Sequence, residues 1–377
     1  MARSHDMTSG SIWRSLLGFS IPIMISNLVQ STYNAVDMLF VGRFTGTESL
    51  AAVSVCGPIL NVMIITLSGM SAGVLVVISG LLGAGDIKQA QDAAHTSVAL
   101  YALMAAVMTV LGLLFVPQIL RLVQTPAAAM PEAKRYLYTV FAGTVFTFGY
   151  NLIGALQRGL GNAAASMSFV IISSAANIAL DAVFIVWLGM GAFGAALGTV
   201  LSQVAAFVIG TVQLARGGAA LRLSARAVRF HKKHLKNILL FGVPTALNEV
   251  MVNLAMLTVS GVANSFGLAS SAAYGVGSRI NSLAIFTDGA MNQTMSAYAS
   301  QNIGAGRQKR ALEGLWKAII LSAGAALGTS LLVLGFASEF SACFDSDPAV
   351  IEQSAAFLRV TVWSYPCLLY TSPSPRD

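Results

Sequence analysis

Two aspartates, Asp37 and Asp181, stand inside apolar runs, and each has polar company at helical spacing. Gln30, Tyr33 and Asn34 precede Asp37 by seven, four and three residues, which places all four on one helix face. Asn177 lies one turn before Asp181, and Thr199 sits about eight residues into the next apolar run. At about 1.5 Å per residue, Asp37, Asp181 and Thr199 come to comparable depth, roughly 6–12 Å below one surface. Charged groups in hydrocarbon are costly and mark ion or proton pathways. Two carboxylates, an amide and a hydroxyl suit oxygen ligation of a hard monovalent cation such as Na+. They suit a proton equally, since close like charges favour protonating one carboxyl. Single helix–helix hydrogen-bond anchors would account for Asn177 or Thr199 alone, but not for two acids in one half.

The elements that must hold these groups follow from composition. Hydrophobic residues make up 56% of the 377 and charged residues 10%, and mean hydropathy is +0.74. Soluble domains carry about one quarter charged residues, so lipid is the solvent of this chain. Apolar runs occur at 16–41, 50–80, 93–116, 134–157, 164–188 and 191–214, and then at 238–263, 268–295, 311–336 and 351–370. Without the strict alternation of barrel strands, they are predicted to be about ten transmembrane helices. Glu249, Arg279 and Asp288 are the further candidates for charges deep inside these runs. The cysteines Cys56, Cys343 and Cys367 are scattered and form no ligand set.

The chain also repeats itself. Gly83-Ala84-Gly85, Lys88 and Ala90 return 221 residues later as Gly304-Ala305-Gly306, Lys309 and Ala311, and an offset of 222 pairs Pro22 with Pro244. Six spans precede the second copy, so the copies start with the same orientation and are related by an axis along the membrane normal. The first copy ends near residue 216, and adding 221 predicts a second copy ending near 437. The expectation is an all-α polytopic protein of two parallel-related six-helix repeats with the last two helices missing. Its parts are an N-terminal lobe over 1–215, a basic linker over 216–236, an incomplete lobe over 237–370 and a non-native tail over 371–377. The chemistry is not duplicated, since Val259 stands opposite Asp37. The Gly-Ala-Gly segments read as tight turns, not phosphate loops, because each follows a membrane helix and lacks a Lys-Ser/Thr ending.

Charge placement gives an orientation. With the N-terminus inside, fifteen Lys and Arg fall in cytoplasmic segments and five outside, leaving Arg279 and Arg376 aside. The formal charge of +7 therefore signals topology and contact with anionic lipid, not nucleic acid. His231 and His234 belong to the solvated basic linker, and His95 stands alone, so neither a metal pair nor a catalytic cluster is expected.

Pro22, the Val36-Asp37-x3-Val41-Gly42-Arg43 run, the twin Gly-Ala-Gly turns, Gln301-Asn302-x-Gly304 and Asn177-x3-Asp181 followed by Thr199 resemble the multidrug and toxic compound extrusion (MATE) family. The fit is closest to its DinF-like branch and covers residues 12–367. The resemblance implies a twelve-helix fold of two lobes, exporting cationic or amphipathic drug-like compounds against Na+ or H+. It also implies a monomer in the bacterial inner membrane, with no cofactor beyond the coupling ion and no enzymatic activity. Carried over residue by residue, it makes Asp37, Asn177, Asp181 and Thr199 the cation-coupling set, with Gln30, Tyr33 and Asn34 in support. Pro22 becomes a hinge, because proline breaks the helical hydrogen-bond ladder. Glu249, Met251, Met256, Arg279 and Met291 are candidate lining of a substrate cleft, with Glu249 paired to Arg279. The alternatives are a flippase for lipid-linked saccharides, which asks for a more basic cleft, and a membrane-embedded enzyme.

Overall fold

The computed structural model describes residues 6–216, 221, 223–344 and 347–364. They form ten α-helices and contain no strand. The first six are α1 (Ile12–Phe44), α2 (Thr47–Gly83), α3 (Ile87–Leu122), α4 (Met130–Gly159), α5 (Ala163–Asp181) and α6 (Gly191–Arg216). They are followed by α7 (Lys232–Ser265), α8 (Leu268–Gly304), α9 (Gln308–Ala342) and α10 (Pro348–Thr361). α1, α2, α3 and α9 run a turn or more beyond their apolar stretches at each end, since the flanking polar residues extend them into the interface.

Eight of the ten are long and apolar enough to cross a membrane. Of the ten expected spans, α8 is long but broken up by polar residues such as Arg279, Asn281 and Gln293, and α10 has only 14 helical residues. Residues 217–220 and Arg222 of the expected linker, and the expected tail 371–377, lie outside the described residues. The last part of the expected linker, from Lys232, already belongs to α7.

Local chemistry sets several boundaries. Asp86 accepts a hydrogen bond from the Gln89 amide at 3.0 Å, and Asn162 accepts one from Ala165 at 3.1 Å, so each side chain caps the helix that follows. The Gly-Ala-Gly segments are helix C-caps. Gly85 and Gly306 take φ of 72° and 71°, where a side chain would be strained. In the first turn Ala84, Gly85 and Asp86 donate to the carbonyls of Gly80, Leu82 and Leu81. In the second, Ala305, Gly306 and Arg307 donate to Gln301, Ile303 and Asn302. Every partner is displaced by 221, so the duplication extends to single hydrogen bonds.

The same offset governs how the halves meet. α2 packs against α3 and α4 in the first half and against α7 and α8 in the second, while α1 packs against α5 and α8. A Cβ on Gly83 would overlap the backbone of Gln301, and one on Gly304 would overlap the backbone of Gly80. Under the offset Gly80 becomes Gln301 and Gly83 becomes Gly304, so the two contacts are one contact seen twice. That reciprocity is the signature of a two-fold relation. Higher along the pair, Gly69 and Gly73 let α2 approach Ala246, Ile238 and Gly242 of α7 at backbone distance. In lipid, where burial of apolar surface drives little, such close backbone approach is what holds helices together. All of these contacts lie towards the end that carries the N-terminus and both glycine turns. Farther from that end, α7 exposes Met251, Leu254, Met256, Leu257 and Val259.

Gly83→Ala and Gly304→Ala should destabilise the protein by similar amounts, about 1–3 kcal/mol each, because each methyl meets a carbonyl that cannot withdraw. Gly261→Ala, whose Cβ has open space, should be neutral or stabilising. Apparent thermal midpoints in detergent compare the three.

Candidate functional site

The first-half polar residues converge where α1, α5 and α6 pack together. Asp37 is seven residues from the end of α1 and Thr199 eight from the start of α6. Asp181 closes the regular part of α5, and the chain then makes a π-helical turn over Ala182–Trp187. There the Leu188 amide donates to Val183 at 3.0 Å, an i→i+5 bond. Such a bulge changes which face the chain presents, and it often accompanies function. At about 1.5 Å per residue all three side chains lie roughly 9–12 Å from the helix ends.

α6 makes room for them. Gly194, Gly198, Ser202, Ala206 and Gly210 recur every fourth residue, and all are buried. This stripe faces α5 and α4: Gly198 abuts Asp181 Oδ1, and a Cβ on Gly210 would sit 2.8 Å from Ile153 and 3.3 Å from Phe169. Across it the Ser173 hydroxyl donates to the Ser202 carbonyl at 2.9 Å, and Ser202 donates to the carbonyl of Thr199 at 2.8 Å. A larger side chain at position 198 would displace the carboxylate.

Asp181 is fully buried and Asn177 nearly so. Neither carboxylate oxygen of Asp181 has a hydrogen-bond partner, and neither polar atom of Asn177 has one. Asp37 Oδ1 is buried and unpartnered as well. Five such atoms from three residues at one helix junction run against the rule that buried polar groups are paired. The two carboxylates lie within electrostatic reach of each other. Among the described residues the ion pairs are Arg135–Glu132 and His231–Asp92, both remote from this junction. Four of the five are hard oxygens that a Na+ ion or a transferable proton would satisfy, and the fifth, Asn177 Nδ2, is a hydrogen-bond donor.

Of the expected supporting residues, Gln30 lies within hydrogen-bond reach of both the Tyr33 and Tyr150 hydroxyls. Tyr33 is close enough to Asp37 and Asp181 to feel their charge. Asn34 is exposed. Two residues absent from the sequence reading belong to the surroundings. Tyr136 of α4 feels Asp37, Asp181 and Tyr33, and Tyr150 of α4 packs edge-on to Phe169 at 6.0 Å. Their 14-residue separation on one helix was the available signal, although a tyrosine in a span reads equally as an interfacial anchor. Pro22 is buried inside α1, which is helical through it, and the Ser26 hydroxyl donates to its carbonyl at 2.8 Å.

The second-half candidates do not converge. Met251 and Met256 are exposed along α7 and Arg279 is exposed on α8. The expected Glu249–Arg279 pair does not form: neither residue is in an ion pair among the described residues. The Glu249 carbonyl instead accepts from Asn253, whose Oδ1 accepts from Asn61 of α2 at 3.3 Å. Met291 does not line a cleft; it is buried with Phe19, Ile23 and Tyr298 where α1 meets α8. The side chain of Asp288 lies outside the described residues.

Comparison with known proteins places this geometry in context. The family profile described as MatE matches residues 22–183 and again 244–374. The two matches start at the paired prolines, 222 residues apart. A Bacillus subtilis protein named "Probable multidrug resistance protein YoeA" is 30% identical over 368 residues, covering 94% of this chain and 78% of its own length. A second from that organism, "Probable multidrug resistance protein YpnP", is 27% identical and covers 97% of this chain and 81% of its own length. The solved outward-facing conformation of a multidrug resistance MATE family transporter superposes with a TM-score of 0.90 at 24% identity, over 99% of this chain and 84% of that one. At that identity the superposition speaks for the fold.

Replacing a buried, unpartnered carboxylate by its amide should remove a cost of folding. Asp181→Asn is expected to raise the apparent thermal midpoint in detergent, by the equivalent of about 1–2 kcal/mol. Gly198→Ala should lower it, because the methyl and the Asp181 carboxylate compete for one space.

Proposed function

The chain belongs to the MatE family, and we propose that it is a DinF-like exporter of cationic or amphipathic drug-like compounds, driven by inward flow of Na+ or H+. Its relatives are transporters, not enzymes. The observation that carries the coupling role is the set of five unpartnered buried atoms on Asp37, Asn177 and Asp181. A bundle that only needed to hold together would gain by pairing or replacing them. Asp37 and Asp181 take the cation, Asn177 and Thr199 supply further oxygen, and Gln30 with Tyr33 holds the Asp37 side of the site in register.

In this reading the N-terminal lobe, 1–215, couples the ion. The basic linker 216–236 lies at the cytoplasmic face of the bacterial inner membrane, as the fifteen-to-five placement of Lys and Arg supports. The second half, from 237, completes the substrate path, with Met251 and Met256 as adaptable apolar lining. The protein acts as a monomer in lipid. The relatives named for multidrug resistance favour the exporter over a flippase for lipid-linked saccharides.

Drug and ion alternate because the cation changes the balance between two arrangements of the halves, and the shift can be no larger than its preference for one of them. Pro22 removes one backbone donor from α1 within the stretch that packs on α8, so bending there would transmit occupancy of the site to the interface.

Asp37→Asn should reduce dye efflux from vesicles to background under either a Na+ or a pH gradient while the protein still inserts and elutes as one species. Retained efflux would sink the assignment. Separate gradients of the two ions identify the coupling ion. Pro22→Ala should lower both the maximal rate and the apparent affinity for the driving ion. Unchanged ion dependence in that variant would dispose of the hinge.

A further inference from the structure

The short segment ahead of α1 does not stay with its own half. It crosses to the second half and lies over the turn between α8 and α9. The Met7 amide donates to Gln301 Oε1 at 3.1 Å, and the Met7 carbonyl accepts from Asn302 Nδ2 at 3.2 Å and Arg310 Nε at 3.4 Å. Arg310 Nη2 donates to the Ser9 carbonyl at 2.9 Å, and Arg307 donates to the Thr8 carbonyl. The Met7 side chain is fully buried in a cluster with Leu16, Ala297 and Tyr298. Asp6 ties the segment into a bend by accepting from the Thr8 amide and hydroxyl and from the Ser9 hydroxyl, at 2.8, 2.6 and 2.8 Å. The Thr8 hydroxyl above all holds the Asp6 carboxyl below the usual carboxylate range, and nearby Arg307 acts in the same direction. Backbone carbonyls gripped by two guanidinium groups make a site specific in shape but indifferent to sequence, and one that ends cleanly when the segment lifts.

The second copy does the corresponding thing. The segment ahead of α7 crosses to the first half and lies on α3, the helix that follows the equivalent turn. The Ser224 amide donates to His95 Nε2 at 3.3 Å, and Thr96 Oγ1 both donates to the Arg229 carbonyl and accepts from the His231 amide. Lys233 Nζ donates to Gln89 Oε1 at 2.9 Å. Each half therefore straps the other at the end where the glycine turns touch. The straps are held differently: guanidinium groups grip the carbonyls of the first, whereas His95 and Thr96 of α3 hold the second.

We propose that Asp6–Gly10 is a releasable latch that holds the two halves together at the N-terminal end of the bundle, with Arg307 and Arg310 as its grip, and that it must lift for that end to open. The alternation itself rests on the transport reading above, but the latch can be read without substrate or ion.

The test uses the full chain in lipid nanodiscs, with Cys343 and Cys367 replaced by serine and spin labels on Lys88→Cys and Lys309→Cys. These exposed positions lie at the starts of α3 and α9, one in each half. Wild type should give one short distance distribution. Arg307→Gln/Arg310→Gln, and separately removal of residues 1–9, should increase the population at longer distance by about tenfold or more. A second label pair on Lys309 and Glu339, at the two ends of α9, should not move and reports that the variants are folded. If both variants keep the wild-type Lys88–Lys309 distribution while that control pair is intact, the latch is overturned. A Thr8→Cys/Arg307→Cys disulfide should abolish the longer population altogether, and its persistence in the cross-linked chain would overturn the proposal equally. Failure of dye efflux in the wild type would remove the transport reading and leave these distances standing.

Discussion

A carboxylate inside hydrocarbon must find a cation, a proton or water, and α1, α5 and α6 bring two of them together with no basic side chain beside them. Much of the first half is arranged around that constraint. The four-residue stripe of small residues on α6 lets the backbone come up against Asp181. The π turn begins at the residue after Asp181. On α4, Tyr136 lies within electrostatic reach of both carboxylates, and Tyr150 packs against Phe169 of α5. An acid held this way is expensive for the fold, and its retention makes sense where the missing partner comes and goes.

How far this was legible depended on whether a residue carries its own chemistry. Asp37 and Asp181 are conspicuous because a charge in an apolar run admits few explanations, and the i−4 spacing of Asn177 follows from helix geometry alone. Gly198 was invisible, since a glycine in a span has no meaning until the group across from it is known. Tyr136 and Tyr150 were missed for a related reason: a membrane tyrosine satisfies the interface, the core and a site equally well. Met291 was misplaced because methionine fills a closed interface as readily as it lines a cleft. The Glu249–Arg279 pairing failed because opposite charge says nothing about the rotation of two separate helices.

The fold was more legible than the site, and for a physical reason. With no water to satisfy the backbone, a long apolar run has little choice but helix, and the spans at 50–80 and 93–116 needed only extension to their caps. The span count was less secure at α8, where polar residues are frequent enough to blur the apolar signal, yet the helix is 37 residues long. Tertiary contact along α2, which touches helices of both halves, sustains what local hydropathy would not have demanded.

Duplication explains the shape of the molecule but not its direction. A two-fold scaffold in which Gly83 meets Gln301 and Gly304 meets Gly80 has no intrinsic reason to couple one half to an ion and the other to a solute. Two departures break the equivalence. Asp37 has no mate, since Val259 stands at its place in the second copy, so the carboxylate pair belongs to the first half. The crossing segments are held by unlike chemistry as well: one presents backbone carbonyls to two arginines, while the other presents backbone amides and a carbonyl to His95 and Thr96 of α3. A symmetric hinge would open with equal ease whichever half was loaded. In the proposed coupling, the carboxylate on α1 is next in sequence to the strap that grips the opposite half, so one stretch of chain would carry information from one half to the other. Asp37 and Met7 lie 30 residues apart on a continuous path, with Pro22 midway and the α8 contact beside it. Coupling of the proposed kind, along α1 and the segment ahead of it, needs no relay of side chains across the bundle.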